Sequence, residues 1–207
     1  MTTTARKYDS PPVSSRSDTA MTKIAIGLIV VIGFIALVFT LFQDDGKSDP
    51  LLLAASEPMK VTVPSISTSS SLVALGQEPN GALSVPPLSQ PMQASWYDKS
   101  PTPGALGPAV ILGHVNGGGK PGVFLNLKDV KAGDEVFVDR ADGQTAVFKV
   151  AHVDTVLKAE FPANEVYGDT PNSQLRLITC GGDLDREAHS YKSNVVVYAD
   201  LESVRKT

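Results

Sequence analysis

Nineteen consecutive residues without a charge, Ile24 to Phe42 (IAIGLIVVIGFIALVFTLF), divide the chain into parts that must meet different solvents. As a helix rising 1.5 Å per residue, the run spans about 28 Å, close to the hydrocarbon thickness of a bilayer. A cleaved leader carries a shorter apolar core followed by a small-x-small site, whereas TLFQDD follows here. The run is therefore expected to persist as a single-pass anchor. Arg6, Lys7, Arg16 and Lys23 precede it, and Asp44 and Asp45 follow. The positive-inside rule then places the N-terminus in the cytoplasm and the rest of the chain outside the cell membrane.

The anchor fixes the organisation of the remainder. Residues 1–23 are polar and read as a disordered cytoplasmic tail. Residues 43–57 read as a linker and residues 58–207 as the folded, extracytoplasmic domain. The 207 residues leave room for one domain of ordinary size, and the net charge of -4 gives none of the basic surface that nucleic acid selects. Short β-branched runs dominate that domain: AVILGHV, DEVFVDR, TAVFKVAHV and NVVVYADL. Turn signals (PNG, VPP, TPG, ADG) separate the extended pieces. The expected fold is mostly β, with eight or so short strands in a closed barrel or sandwich and one short helical stretch in KAEFPANEVYGDTPNS.

LRLITCGG, residues 175–182, contains the only cysteine of the chain, Cys180. Outside the cytoplasm structural cysteines come in pairs. A lone thiol is either a small buried hydrophobe or a nucleophile. The glycines that follow suit a close backbone approach, a positive φ, or simply a turn. Among the three histidines, His114 stands where an apolar strand gives way to NGGGKPG, a position that fixes the backbone beside a cleft. His152, within a strand, reads as a partly exposed structural residue, and His189, in a polar loop, as solvated. A Cys/His pair permits covalent acyl transfer, which also needs donors for a tetrahedral oxyanion.

PAVILGHVNG, followed about 65 residues later by LRLITCGGDLDREAHSYKSNVVVYA, resembles a sortase, most closely the class F sortases of actinobacteria. VTVPSIS, LGQEPNGALSVPPL, ASWYDKSPTPGALGPAV, VFLNLKDVKAGDEVFV and FPANEVYG occur in that family's order, so the resemblance spans about residues 58–202. It implies an eight-stranded sortase-type β-barrel and a cysteine transpeptidase. Such an enzyme cleaves a Leu-Pro-x-Thr-Gly-like sorting signal through a thioester and passes the protein to an amine. The implied partners are sorting-signal-bearing surface proteins and, as acceptor, a peptidoglycan precursor amine or a pilin lysine.

By the same resemblance, Cys180 is the nucleophile and His114 the acid/base. Better-known classes carry an arginine just before the last strand, where this chain has Asn194 preceded by Lys192 and Ser193. Arg176 shares strand parity with Cys180 and Ile178 and is expected to face the same cleft, although strand rise puts its Cα about 13 Å from that of Cys180. Arg186, in the loop before the last strand, is the alternative. Ile178 and Trp96 are expected to face substrate. No cofactor or metal is implied: DDGKSD at 44–49 lacks the downstream glutamate of a calcium loop.

Two other readings compete. An L,D-transpeptidase places histidine and glycine directly before its cysteine, and LITC does not. A degenerate, non-catalytic anchored β-domain that binds wall polymer or a partner would also lack the expected arginine.

The anchored reading predicts that the full-length chain sediments with membranes and resists alkaline carbonate extraction. Recovery of the intact chain in the soluble fraction would refute it.

Overall fold

The first alternating stretch of the sequence opens the barrel. In the computed structural model, which describes residues 50–207, strand β1 (Pro58–Val63) turns Val61 and Val63 into the interior with no exposed surface. The run 24–42, the tail before it and residues 43–49 lie outside the described residues. β2 (Thr68–Leu75), β3 (Ala94–Tyr97), β4 (Gly107–Gly113), β7 (Glu135–Arg140), β8 (Gln144–Leu157), β9 (Ser173–Asp185) and β10 (Ser190–Lys206) complete the wall. Around the closed barrel the order is β1-β2-β3-β4-β9-β10-β8-β7, with β7 pairing back to β1. A small ribbon, β5 (Asn116–Gly117) with β6 (Lys120–Pro121), stands apart in the glycine-rich loop. The mostly β expectation and the eight-stranded barrel agree with this architecture.

β4 runs parallel to β9, while β9 and β10 are antiparallel. All seven residues of β4 are buried, which explains why AVIL reads as continuous rather than alternating: a strand covered on both faces needs apolar side chains on both. Ala109 and Ile111 enter the barrel core with Leu175, Leu177, Val195 and Val197. Their neighbours Val110, Leu112, Ile178, Val196 and Tyr198 form a second cluster on the outer face. Helix α1 (Ala163–Tyr167), which falls within the expected helical stretch, covers that cluster through Val166.

Residues 53–56 of the segment read as a linker lie against the barrel. The Leu53 N–H donates to the Gly104 carbonyl (2.8 Å), and Leu53 packs on the core. Arg140, 3% exposed, is the reason this arm has a place to dock. A buried guanidinium needs acceptors, and Arg140 finds them in the carbonyls of Ala54 (2.6 Å) and Pro103 and in the Asp142 carboxylate (2.8 Å). That contact holds the Asp142 carboxyl below its ordinary range.

Gly113 ends β4 directly before His114, and only glycine fits there. A Cβ would stand 2.5 Å from Val123 Cγ1 and 2.6 Å from Phe124 Cδ2, both core side chains. Gly113→Ala is expected to cost about 1–3 kcal/mol by overpacking. Urea titration should show a lower midpoint at unchanged slope; an unchanged midpoint would mean the core has room that the packing does not show.

Candidate active site

Strand pairing gathers the chemistry into rows on the outer face of β4, β9 and β10. Leu112 pairs with Ile178, and Ile178 with Val196. Two residues further along, Cys180 pairs with Asn194. Neighbouring strands lie about 4.8 Å apart, so Cys180 and Asn194 form one row, and His114, the residue that follows the end of β4, leaves the sheet at the edge where they stand. All three are half-buried and line a groove of about 570 Å³, within the size range of ligand sites.

The floor and walls of this groove are apolar. Leu112 and Ile178 (8% and 5% exposed) form the row below, and Ala82, Leu83, Val85 and Leu88 close one side from the loop before β3. Ile178 thus stands where the sequence reading put it, facing the groove. At the rim the Asn116 amide donates to Tyr191 Oη (2.6 Å), tying the loop after His114 to the start of β10.

His114 is held at both ends. Its carbonyl accepts from the Phe124 N–H (2.9 Å), which fixes the backbone. Its ring Nε2 lies 2.6 Å from the Pro86 carbonyl oxygen. A carbonyl only accepts, so Nε2 carries the hydrogen and Nδ1 is the nitrogen left for proton exchange. This contact does for the imidazole what a third residue does in a catalytic triad: it sets tautomer and orientation.

The two glycines after Cys180 have separate reasons. At Gly181 a Cβ would meet Val195 Cγ2 at 2.6 Å, and Gly182 adopts φ +71°. Around Gly182 the β9–β10 register slips: Tyr191 pairs with Leu184 but Ser193 with Gly181, so Gly182 and Asp183 stand opposite Lys192 alone. A glycine at positive φ is what such a bulge uses. Had the register of the hairpin run on unbroken, Cys180 would face Val195, a core residue; the bulge gives it Asn194 instead.

Arg176 behaves otherwise than expected. Arg176 does share parity with Cys180 and Ile178, but it sits two rows down, paired with Tyr198, and is 3% exposed. Its guanidinium leans away from the thiol: Nη2 donates to Gln174 Oε1 (2.6 Å) and the Glu165 carbonyl (3.4 Å), and Cζ lies 4.5 Å over the Tyr198 ring. Burial lowers its pKa from the ordinary arginine value, against the opposing pull of Tyr198, Asp200 and Glu165. A buried arginine needs partners, as the sequence reading held; it found them beyond the groove. Arg186 is exposed in the β9–β10 turn and is not among the groove's lining residues.

Trp96 requires a correction too. It is 7% exposed inside the barrel core, its Nε1–H donating to the Pro101 carbonyl (3.3 Å), so it packs rather than faces substrate. Its alternation with Ala94 on β3 sends both inward. His152, stacked on Tyr198 at 4.3 Å, is half exposed as expected. Together with Asp154 and Glu165 it forms the only grouping of three possible metal ligands among the described residues, away from the groove. His189, exposed in the turn, contributes to the groove's rim. The sequence reading noted Asn194 only as standing where an arginine was expected, and it gave no role to the Pro86 carbonyl. The first depends on an unforeseen bulge and the second on a backbone atom that no residue type advertises.

A search of curated proteins finds no match. Among solved structures, sortase A from Corynebacterium diphtheriae (a lid mutant) is similar at 21% identity and TM-score 0.55, over 72% of this chain and 73% of that one. The SrtA sortase from Actinomyces oris matches at 20% identity and TM-score 0.54, over 79% and 89%. A pilus-related sortase C of Group B Streptococcus matches at 18% and 0.53, over 74% and 70%. At these identities the likeness establishes the barrel fold. Residues 61–202 match the sortase domain family, a span that runs from within β1 to within β10 and includes His114, Cys180 and Asn194: the chain belongs to the sortase family.

Proposed function

We infer that the chain is a membrane-anchored cysteine transpeptidase of the class F type, acting on surface proteins that carry a Leu-Pro-x-Thr-Gly-like sorting signal. The observation that carries this reading is the convergence of His114 and Cys180 on one groove with an apolar floor. An extended peptide fits the groove, with Leu112 and Ile178 under its apolar side chains. Cys180 Sγ attacks the carbonyl carbon of the threonine, its proton having passed to His114. The tetrahedral intermediate collapses as the C–N bond breaks, and His114 returns the proton to the departing amine. An incoming amine then attacks the thioester and leaves the protein joined by an amide bond. A peptidoglycan precursor or a pilin lysine would supply that amine, and the anchor at 24–42 would hold the site at the outer membrane surface, where both substrates meet.

One observation favours a second reading, a non-catalytic wall- or partner-binding domain: no arginine lines the groove among the described residues.

The two readings separate by mass spectrometry on the full-length chain in detergent, incubated with a panel of sorting-signal peptides and an amine. A thioester on Cys180 and an amide product are expected, with no adduct in Cys180→Ala. His114→Ala should lower kcat by about 10²–10⁴-fold, the usual contribution of a positioned acid/base. Absence of any adduct in the wild type across the panel would leave only the binding domain.

A further inference from the structure

The reaction inferred above builds negative charge on a carbonyl oxygen beside Cys180, yet the groove offers no guanidinium to receive it among the described residues. We propose that the side-chain amide of Asn194 is the hydrogen-bond donor that stabilises this oxyanion. The assignment rests on the reading of Cys180 as the acyl-accepting nucleophile.

Placement carries the argument. Asn194 is the direct antiparallel partner of Cys180, on the same outer face, and both side chains line the groove. Direct cross-strand partners hold their Cβ atoms about 5 Å apart, which suits an amide and a thiol converging on one carbonyl group. Asn194 is half-buried, and no side-chain hydrogen bond among the described residues occupies its amide.

The cationic and amide donors nearest in kind are engaged elsewhere or displaced. Lys158, at the rim, turns one of its N–H groups to Ser190 Oγ (2.9 Å), and the Asn116 amide one of its two to Tyr191 Oη. Lys192 is exposed at the bulge and lines a separate shallow depression with Leu157 and Ala188. Arg176 is held in the lower row by Gln174 and Tyr198.

A neutral carboxamide suffices for the chemistry. As the Sγ–C bond forms, the carbonyl π pair moves onto oxygen, where an N–H of Asn194 meets it. When the C–N bond breaks, that pair returns to rebuild the carbonyl of the thioester, and the nitrogen leaves with the proton from His114. Asn194 is unchanged over the cycle and supplies no proton. In a groove walled by leucine, isoleucine and valine, such a fixed donor is worth more than in water, because little solvent competes for the oxyanion.

The test compares wild type, Asn194→Ala, Asn194→Asp, Lys158→Ala and Lys192→Ala as full-length chains in detergent. Asn194→Asp keeps the size and replaces donors by acceptors, so it still reports if the alanine variant folds poorly. Thermal melts identify any misfolded variant. Both Asn194 variants should lose about 10²–10³-fold in kcat, the typical effect of removing one oxyanion donor, with KM within about threefold. Alkylation of Cys180 by iodoacetamide builds no tetrahedral oxyanion, so in Asn194→Ala, which adds no charge beside the thiol, its rate should stay within about twofold.

Three results would overturn the assignment while leaving the transpeptidase reading intact. The first is full activity in folded Asn194→Ala, and the second is a comparable loss in Lys158→Ala or Lys192→Ala instead. The third is a parallel fall in the alkylation rate of Asn194→Ala, which would mean that Asn194 acts on the thiol. A wild type that forms neither thioester nor product would overturn both readings together.

Discussion

The placement of β9 between a parallel neighbour, β4, and an antiparallel one, β10, is the constraint on which the site depends. Cys180 and Asn194 share a level that backbone hydrogen bonding across one hairpin fixes, and His114, distant in sequence, leaves β4 at the same edge of the sheet. The packing on both sheet faces keeps that level from slipping. A one-residue slip anywhere in this trio would turn one of the three side chains into the barrel core. Core residues such as Ile111, Leu177 and Val195 therefore act at a distance on the groove by locking the register.

The outer face of the same three strands is divided by height. At the level of Cys180 the sheet faces the groove; one level down, Leu112, Ile178 and Val196 make an apolar floor; below that, Arg176 and Tyr198 stack beneath α1. Arg176 anchors the lower level by bonding Gln174 and the Glu165 carbonyl, so helix α1 and the sheet share a polar tie as well as the Val166 contact. Tyr198, pushed up to about 12 chiefly by burial, stays a neutral phenol throughout the physiological range. An arginine inside an apolar strand was thus a sound sign of a specific partner. Its partner serves the scaffold.

The groove also owes much to segments without regular structure. The loop carrying Pro86 supplies both a wall and the carbonyl that sets the imidazole tautomer. The Asn116–Tyr191 bond ties the loop after His114 to the start of β10 at the rim. These contacts join regions that strand pairing alone would leave free, so the His114 ring is oriented by one loop through Pro86 and its backbone by another through the Phe124 N–H.

Residue pattern by itself determined a good deal. Alternation and β-branched runs marked the strands because a half-buried pleat demands that period, and the unbroken AVIL run marked a strand covered on both faces. The lone thiol, the Gly-His strand end and their spacing pointed to the family and to the Cys/His pair that lines the groove. Tertiary structure alone decided the rest. Parity correctly put Arg176 on the face of Cys180, but parity says nothing of which way a long side chain leans. The inward face of Trp96 was not legible, because a four-residue strand has too little pattern to choose a side. Asn194 became the partner of Cys180 through the bulge at Gly182, where one unmatched residue changes which side chains meet across two strands. Pairing register is a property of two segments together, so no reading of either one alone could supply it.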